Sequence, residues 1–114
     1  MATELTKFFS FSACHTSSGK VLGRNYRFGI TVEWVNQAQE ERLIETVRRE
    51  LISKVHTRDL GENVDFLKNI SIDDASLLKE FKKRLSAALM GFNIKRLTLE
   101  RDSETSTVLF LENS

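Results

Sequence analysis

Leu22-Gly23-Arg24-Asn25-Tyr26-Arg27-Phe28-Gly29-Ile30-Thr31-Val32-Glu33-Trp34-Val35 is the stretch on which the reading of this chain turns. From residue 24 onward Tyr26, Phe28, Ile30, Val32 and Trp34 fall on one side, and Arg27, Gly29, Thr31 and Glu33 on the other. That is the period of two of a strand with one buried face. Upstream, residues 5–15 alternate more weakly, with Phe9, Phe11 and Ala13 against Phe8, Ser10 and Ser12, which puts His15 on the Phe9 side. Thr16-Ser17-Ser18-Gly19 between the two supplies turn-forming residues. The pair therefore reads as a hairpin.

Working outward, polar residues 36–41 give way to a period of 3.6, with Ile44, Val47, Leu51 and Val55 on one stripe and Glu45, Arg48, Arg49 and Glu50 around it. A second amphipathic helix starts at Asp73 or Asp74, where a carboxylate can accept from free amides and oppose the N-terminal dipole. It carries Leu77, Leu78, Phe81, Leu85, Ala88 and Leu89, and Gly91 is its expected stop. Strands over residues 93–101 and 105–111, joined by Asp102-Ser103-Glu104, complete the order β-β-α-α-β-β. The fold class is α+β, an antiparallel four-stranded sheet with two helices on one face. Residues 56–70 form the longest expected loop, a length that often carries function in a small domain. The chain has no proline, and without repeat or low-complexity tract it reads as one domain over residues 1–114.

Composition removes several function classes. Apolar residues make up 40% and charged residues 29% of the 114, as in ordinary globular domains. Seventeen Lys and Arg against sixteen Asp and Glu leave a formal charge of +1, too little for a field that gathers nucleic acid or anionic membrane. Met1-Ala2-Thr3-Glu4 does not begin a basic segment followed by an apolar run, and no stretch is long and apolar enough to span a bilayer. Cys14 is the single cysteine, which excludes an internal disulfide and fits a reducing compartment. The expected location is the cytoplasm. No phosphate-binding glycine loop, C-x-x-C or H-E-x-x-H is present.

Two short motifs carry a resemblance. Phe11-Ser12-Ala13-Cys14-His15 followed by Leu22-Gly23-Arg24-Asn25-Tyr26 resembles the opening of the 6-pyruvoyl tetrahydropterin synthase and 6-carboxytetrahydropterin synthase family. There an F-S-A-x-H histidine and an H-G-H-N-Y pair hold one catalytic zinc. His56-Thr57-Arg58-Asp59-Leu60-Gly61 looks like the family's D-H-x-x-L-N segment, and Leu97-Thr98-Leu99-Glu100 looks like its final v-x-v-x-E-T strand. The resemblance covers nearly the whole chain. It implies the tunnelling fold, with protomers joined into a strand-continuous barrel, usually a hexamer, and active sites at subunit interfaces.

The carry-over of functional residues is uneven. His15 matches the first zinc ligand and is the only one retained, since Leu22 and Arg24 stand where the other two belong. A catalytic zinc takes about three protein ligands plus water, so the expectation is no metal and no other cofactor. The family's catalytic cysteine falls on Ser18, a poor nucleophile without an activating base, and its Asp-His relay falls on His56-Thr57, so no catalytic residue is assigned. The helix start P-T-x-E-N falls near residues 72–76 and loses its acid. Glu100 matches the glutamate that accepts from the pterin amino group and ring N–H, and two parallel donors meeting a carboxylate make a charge-assisted fork. Arg24, at a former metal position, is a candidate second ligand-binding residue, able to offer donors to a ligand carbonyl or carboxylate.

Each residue has a plainer reading. Glu100 can be a solvated strand-end charge, His15 a hydrogen-bonded core histidine, and Arg24 a surface cation. Arg48-Arg49 and Lys82-Lys83-Arg84 read as solvated charge on outer helix faces. The functional expectation is a pterin-synthase-like homo-oligomer that binds a pterin or purine-like heterocycle through Glu100 and has lost the zinc-dependent lyase site. Alternatives are an active synthase with a rearranged site built on His15, His56 and Cys14, or a structural subunit that co-assembles with an active paralogue. Nucleic acid and membrane are not expected partners.

Overall fold

The alternation around Phe28 becomes half of a long hairpin. The computed structural model describes residues 3–17, 20–34, 36–60, 64–68 and 72–111. In it β1 (Glu4–Ser17) and β2 (Lys20–Glu33) pair antiparallel from Glu4↔Glu33 to Ser17↔Lys20. The expected turn residues Ser18 and Gly19, and Val35 beyond β2, lie outside the described residues. On the other side of β2 come β3 (Ile94–Arg101) and β4 (Thr105–Phe110), giving the order β1-β2-β3-β4 with every neighbour antiparallel. Phe9, Phe11, Ala13, Tyr26, Phe28, Ile30 and Val32 are buried, and Phe8, Ser10 and Ser12 are exposed, as the period of two requires. Trp34, placed on the buried side by the pattern, is partly exposed because β2 has already ended at Glu33.

Helices cover that buried face. Asn36 caps α1 (Gln37–Val47) by accepting the Gln39 amide at 3.0 Å. The helix continues through a π-helical segment, Arg48–Ile52, into a last turn, α2 (Ser53–Val55). Its fully buried residues are Leu43, Val47, Leu51 and Val55, every fourth position, while Ile44 is only half-buried. In an α-helix a strict spacing of four drifts by about 40° per step. The wider turn at 48–52 removes part of that drift and keeps Leu51 and Val55 over the sheet. This is why the 3.6 period selects Ile44 where the core takes Leu43.

A π turn frees carbonyls, and two side chains take them up. Ser53 Oγ donates to the Arg49 carbonyl at 2.7 Å, and Arg84 Nε donates to the Glu50 carbonyl. Arg84 also sits 3.6 Å from the Glu50 carboxylate and 4.6 Å over the Phe66 ring. The expectation of a solvated charge at Arg84 is therefore corrected. It is a half-buried tie from the second main helix to the π-helical segment and the 3₁₀ turn Asp65–Leu67.

The second main helix, α3 (Asp74–Ala88), begins where the capping signal put it. Asp73 accepts from the Ser76 amide at 2.9 Å and from the Ser76 hydroxyl at 3.0 Å. The amide bond, first, and then the hydroxyl hold its carboxyl below the usual carboxylate range. A lowered folded-state pKa contributes stability above the unfolded pKa and loses it as pH falls through the folded one. Asparagine caps as well as aspartate but does not titrate. The advantage of wild type over Asp73→Asn in urea midpoint should thus be greatest at neutral pH and vanish in acid below the lowered pKa. Beyond the helix, Gly91 takes φ +97°, a left-handed conformation suited to glycine after a helix end.

Phe81 of α3 joins the layers. Its ring meets Phe28 edge-on at 5.7 Å and Phe11 at 6.4 Å from the sheet, and Phe66 at 6.4 Å from the 3₁₀ turn. The expected long loop is partly ordered onto the sheet, with Gly61 and Ile70 outside the described residues. Thr57, at φ +61°, turns the chain so that residues 56–60 run along the outer edge of β1. Cys14 N–H donates to the Arg58 carbonyl at 3.0 Å, and the Leu60 amide to the Cys14 carbonyl at 2.8 Å. The architecture is the α+β arrangement expected from the sequence, four antiparallel strands with helices on one face. Among the described residues no helix is long and apolar enough to cross a membrane.

Candidate ligand-binding site

Strand pairing sets the site on the helix-free face. Because Tyr26 and Phe28 point into the core, Asn25, Arg27 and Gly29 point away from it. Register then forms rows across the sheet. Ser10, Arg27, Glu100 and Ser106 make one, and Phe8, Gly29, Thr98 and Val108 make the next. A Cβ on Gly29 would stand 2.3 Å from Thr98 Oγ1 and 2.8 Å from the Phe8 ring, so only glycine lets Phe8 lie across β2 here. The Arg27 guanidinium stacks on that ring at 3.8 Å from its centroid and reaches Glu100 Oε2 with Nη1 at 3.4 Å.

These two charges line a cavity of about 370 Å³ with Ser10, Phe11, Ser12, Asn25, Tyr26, His56 and Ser103. Its volume suits a single small heterocycle. Ser12 Oγ donates to Asn25 Oδ1 at 2.8 Å, and the Ser12 amide donates to His56 Nδ1 at 3.1 Å. An accepting Nδ1 leaves the proton of the neutral ring on Nε2. Beneath the cavity, on the core side of the sheet, Tyr26 stacks on Phe11 at 4.9 Å. Burial, first, and the nearby Asp74 carboxylate push its phenol above the ordinary range, so the hydroxyl stays neutral.

The turn after β3 closes one end. Asp102 and Ser103 take φ +54° and +59°, left-handed at both central positions as in a type I′ hairpin, though neither is glycine. Asp102 is held by β2 from two directions. Its amide donates to the Asn25 carbonyl at 2.7 Å, and its Oδ1 accepts the Asn25 amide at 2.9 Å. Arg24 Nε lies 3.6 Å from the other carboxylate oxygen.

A search against family profiles finds no match, and none is found among curated proteins. The fold, however, is similar to the solved structure of Caenorhabditis elegans 6-pyruvoyl tetrahydropterin synthase. The TM-score is 0.78 at 17% sequence identity, over 98% of this chain and 97% of that one. At that identity the likeness is one of fold. The chain has the fold of a pterin synthase.

Sequence-derived candidates divide between the two faces. Glu100 and His56 line the same cavity. Arg24 belongs to the Tyr26 side and pairs with Asp102, away from Glu100; with Ser12, Ala13, Cys14, Gly23, Asn25 and Thr57 it lines a shallower hollow of about 380 Å³. His15 pairs across the hairpin with Leu22, and its Nδ1 is enclosed without a hydrogen-bond partner among the described residues. Ser18 lies outside them. No three His, Cys, Asp or Glu among the described residues cluster so as to hold a metal ion. Sequence reasoning missed Arg27, whose signal was available. It is the polar member of the alternation next to Tyr26, and pairing β2 with β3 puts it beside Glu100.

Proposed function

We propose that this chain is a pterin-synthase-like binding protein that takes a pterin or purine-like 2-amino-4-oxo heterocycle at Glu100, assembles with copies of itself into a closed barrel, and does not use zinc-dependent lyase chemistry. The observation that carries the reading is the half-buried Glu100 carboxylate on the wall of a heterocycle-sized cavity, on a fold like that of a pterin synthase. A carboxylate there can accept an amino N–H and a ring N–H together.

The case against zinc rests on the donor set. Across the hairpin from His15 stands Leu22, and the next pair on that face is Ala13 with Arg24. An aliphatic side chain cannot ligate and a guanidinium repels a cation, so these residues do not fit the ion. The enclosed Nδ1 of His15, without a partner among the described residues, is then a cost with no metal to offset it. Replacing His15 by Leu should leave the melting temperature unchanged or raise it, and chelation should not alter wild type. Near-stoichiometric zinc in purified protein, with a melting point several degrees lower after chelation, would restore the active-synthase reading. Titration of neopterin, biopterin and guanine derivatives tests binding, and absence of any complex favours a structural subunit.

Support for assembly comes from the sheet. Its edges, β1 and β4, carry exposed Phe8, Val108 and Phe110, a hazard in an isolated open sheet that closure removes. Sedimentation at micromolar concentration should give one discrete oligomer; a stable monomer contradicts the barrel.

A further inference from the structure

We propose that Arg27 is the residue that selects the carbonyl of the bound heterocycle, restricting the site to neutral rings whose edge reads amino, ring N–H, C=O. The inference rests on the binding reading above and adds to it a determinant of specificity. Such an edge offers two donors followed by one acceptor, on neighbouring atoms. Glu100 alone satisfies the donors and leaves the carbonyl unread. A lone carboxylate would also rank any amidinium or ammonium ligand above a neutral ring, since opposite charges attract more strongly than dipoles. Arg27 changes both outcomes. Its Nη1 lies 3.4 Å from Glu100 Oε2, so an N–H donor stands directly beside the carboxylate on the same row of the sheet. Its positive charge offsets that of Glu100 and disfavours a cationic ligand.

The guanidinium is positioned before any ligand arrives. Phe8 supports it from one side at 3.8 Å, and Phe8 can lie there because Gly29 leaves room. A planar fork held on an aromatic face keeps further N–H groups for a ligand carbonyl while one faces Glu100. Lysine, a point charge on a flexible stem, would not keep that geometry.

The test separates the carbonyl contact from the donor fork with two probes, neopterin and its 4-thioxo counterpart. Both keep the amino group and ring N–H, and only the acceptor differs, sulfur being much the weaker one. Wild type should prefer the oxo compound, and the oxo-to-thioxo affinity ratio should fall about tenfold in Arg27→Met, the worth of one charge-assisted hydrogen bond. Glu100→Gln should weaken both probes alike and keep the ratio. Arg27→Lys should give an intermediate ratio, and serves as the second variant if Arg27→Met melts early by circular dichroism. An unchanged ratio in both Arg27 variants, with wild type binding neopterin, overturns the role given to Arg27 and leaves the Glu100 reading standing. If wild type binds neither probe, the binding reading fails and this inference falls with it.

Discussion

Glu100→Gln should weaken binding of neopterin or a guanine-like ring by about 30- to 150-fold, the equivalent of about 2 to 3 kcal/mol for hydrogen bonds to a charged group. The amide keeps the shape of the carboxylate but turns one acceptor into a donor, which then faces a ligand donor. Arg27 loses its ion-pair partner in the variant. A half-exposed pair of this kind adds little to folding, so the melting temperature should scarcely move. Calorimetric titration of both proteins, with oligomeric state held constant by matched concentration, reads the difference directly. Equal affinity in wild type and variant would reduce Glu100 to a strand-end charge.

The largest effect on stability is expected at Phe81. Its ring is fully buried and touches aromatic rings from β1, β2 and the 3₁₀ turn, so truncation empties the junction between helix and sheet. Phe81→Ala should cost about 3 to 5 kcal/mol, transfer and cavity together, a large share of the stability of a domain this size. The urea midpoint should drop accordingly at an unchanged slope. A loss under about 1 kcal/mol would mean that α3 is not seated on the sheet as described.

Local signals in the sequence were read well where one short-range rule governs. The alternation around Phe28 gave β2 its buried face, Asp73 gave α3 its start, and Gly91 gave it an end. Features that depend on two distant segments were not legible. Nothing in the run from Arg48 to Ile52 announces a π turn, since its freed Glu50 carbonyl is satisfied by Arg84, far along the chain. The pairing of residues 56–60 with β1 likewise needs the tertiary fold to bring them together, because the segment carries no strand pattern of its own. At the site, Glu100 and His56 were named from resemblance, and the structure brings both to one cavity. Arg27 required the register of β2 on β3. Arg24, named as a possible ligand contact, pairs with Asp102, whose carboxylate accepts the Asn25 amide.

The segment that follows the first helix also sets a limit on how this sheet can grow. Along β1, every second residue turns its backbone N–H and C=O toward the open edge. At Ser12 and Cys14 those groups are already taken by His56, Thr57, Arg58 and Leu60. Ahead of Ser12, the outward backbone groups from Glu4 to Ser10 carry no such bond among the described residues, a stretch one residue longer than the six-residue β4 at the opposite edge. Residues 56–60 thus act as a ruler. An incoming strand cannot slide past Ser12, and a slip by one residue would swap its inward and outward side chains.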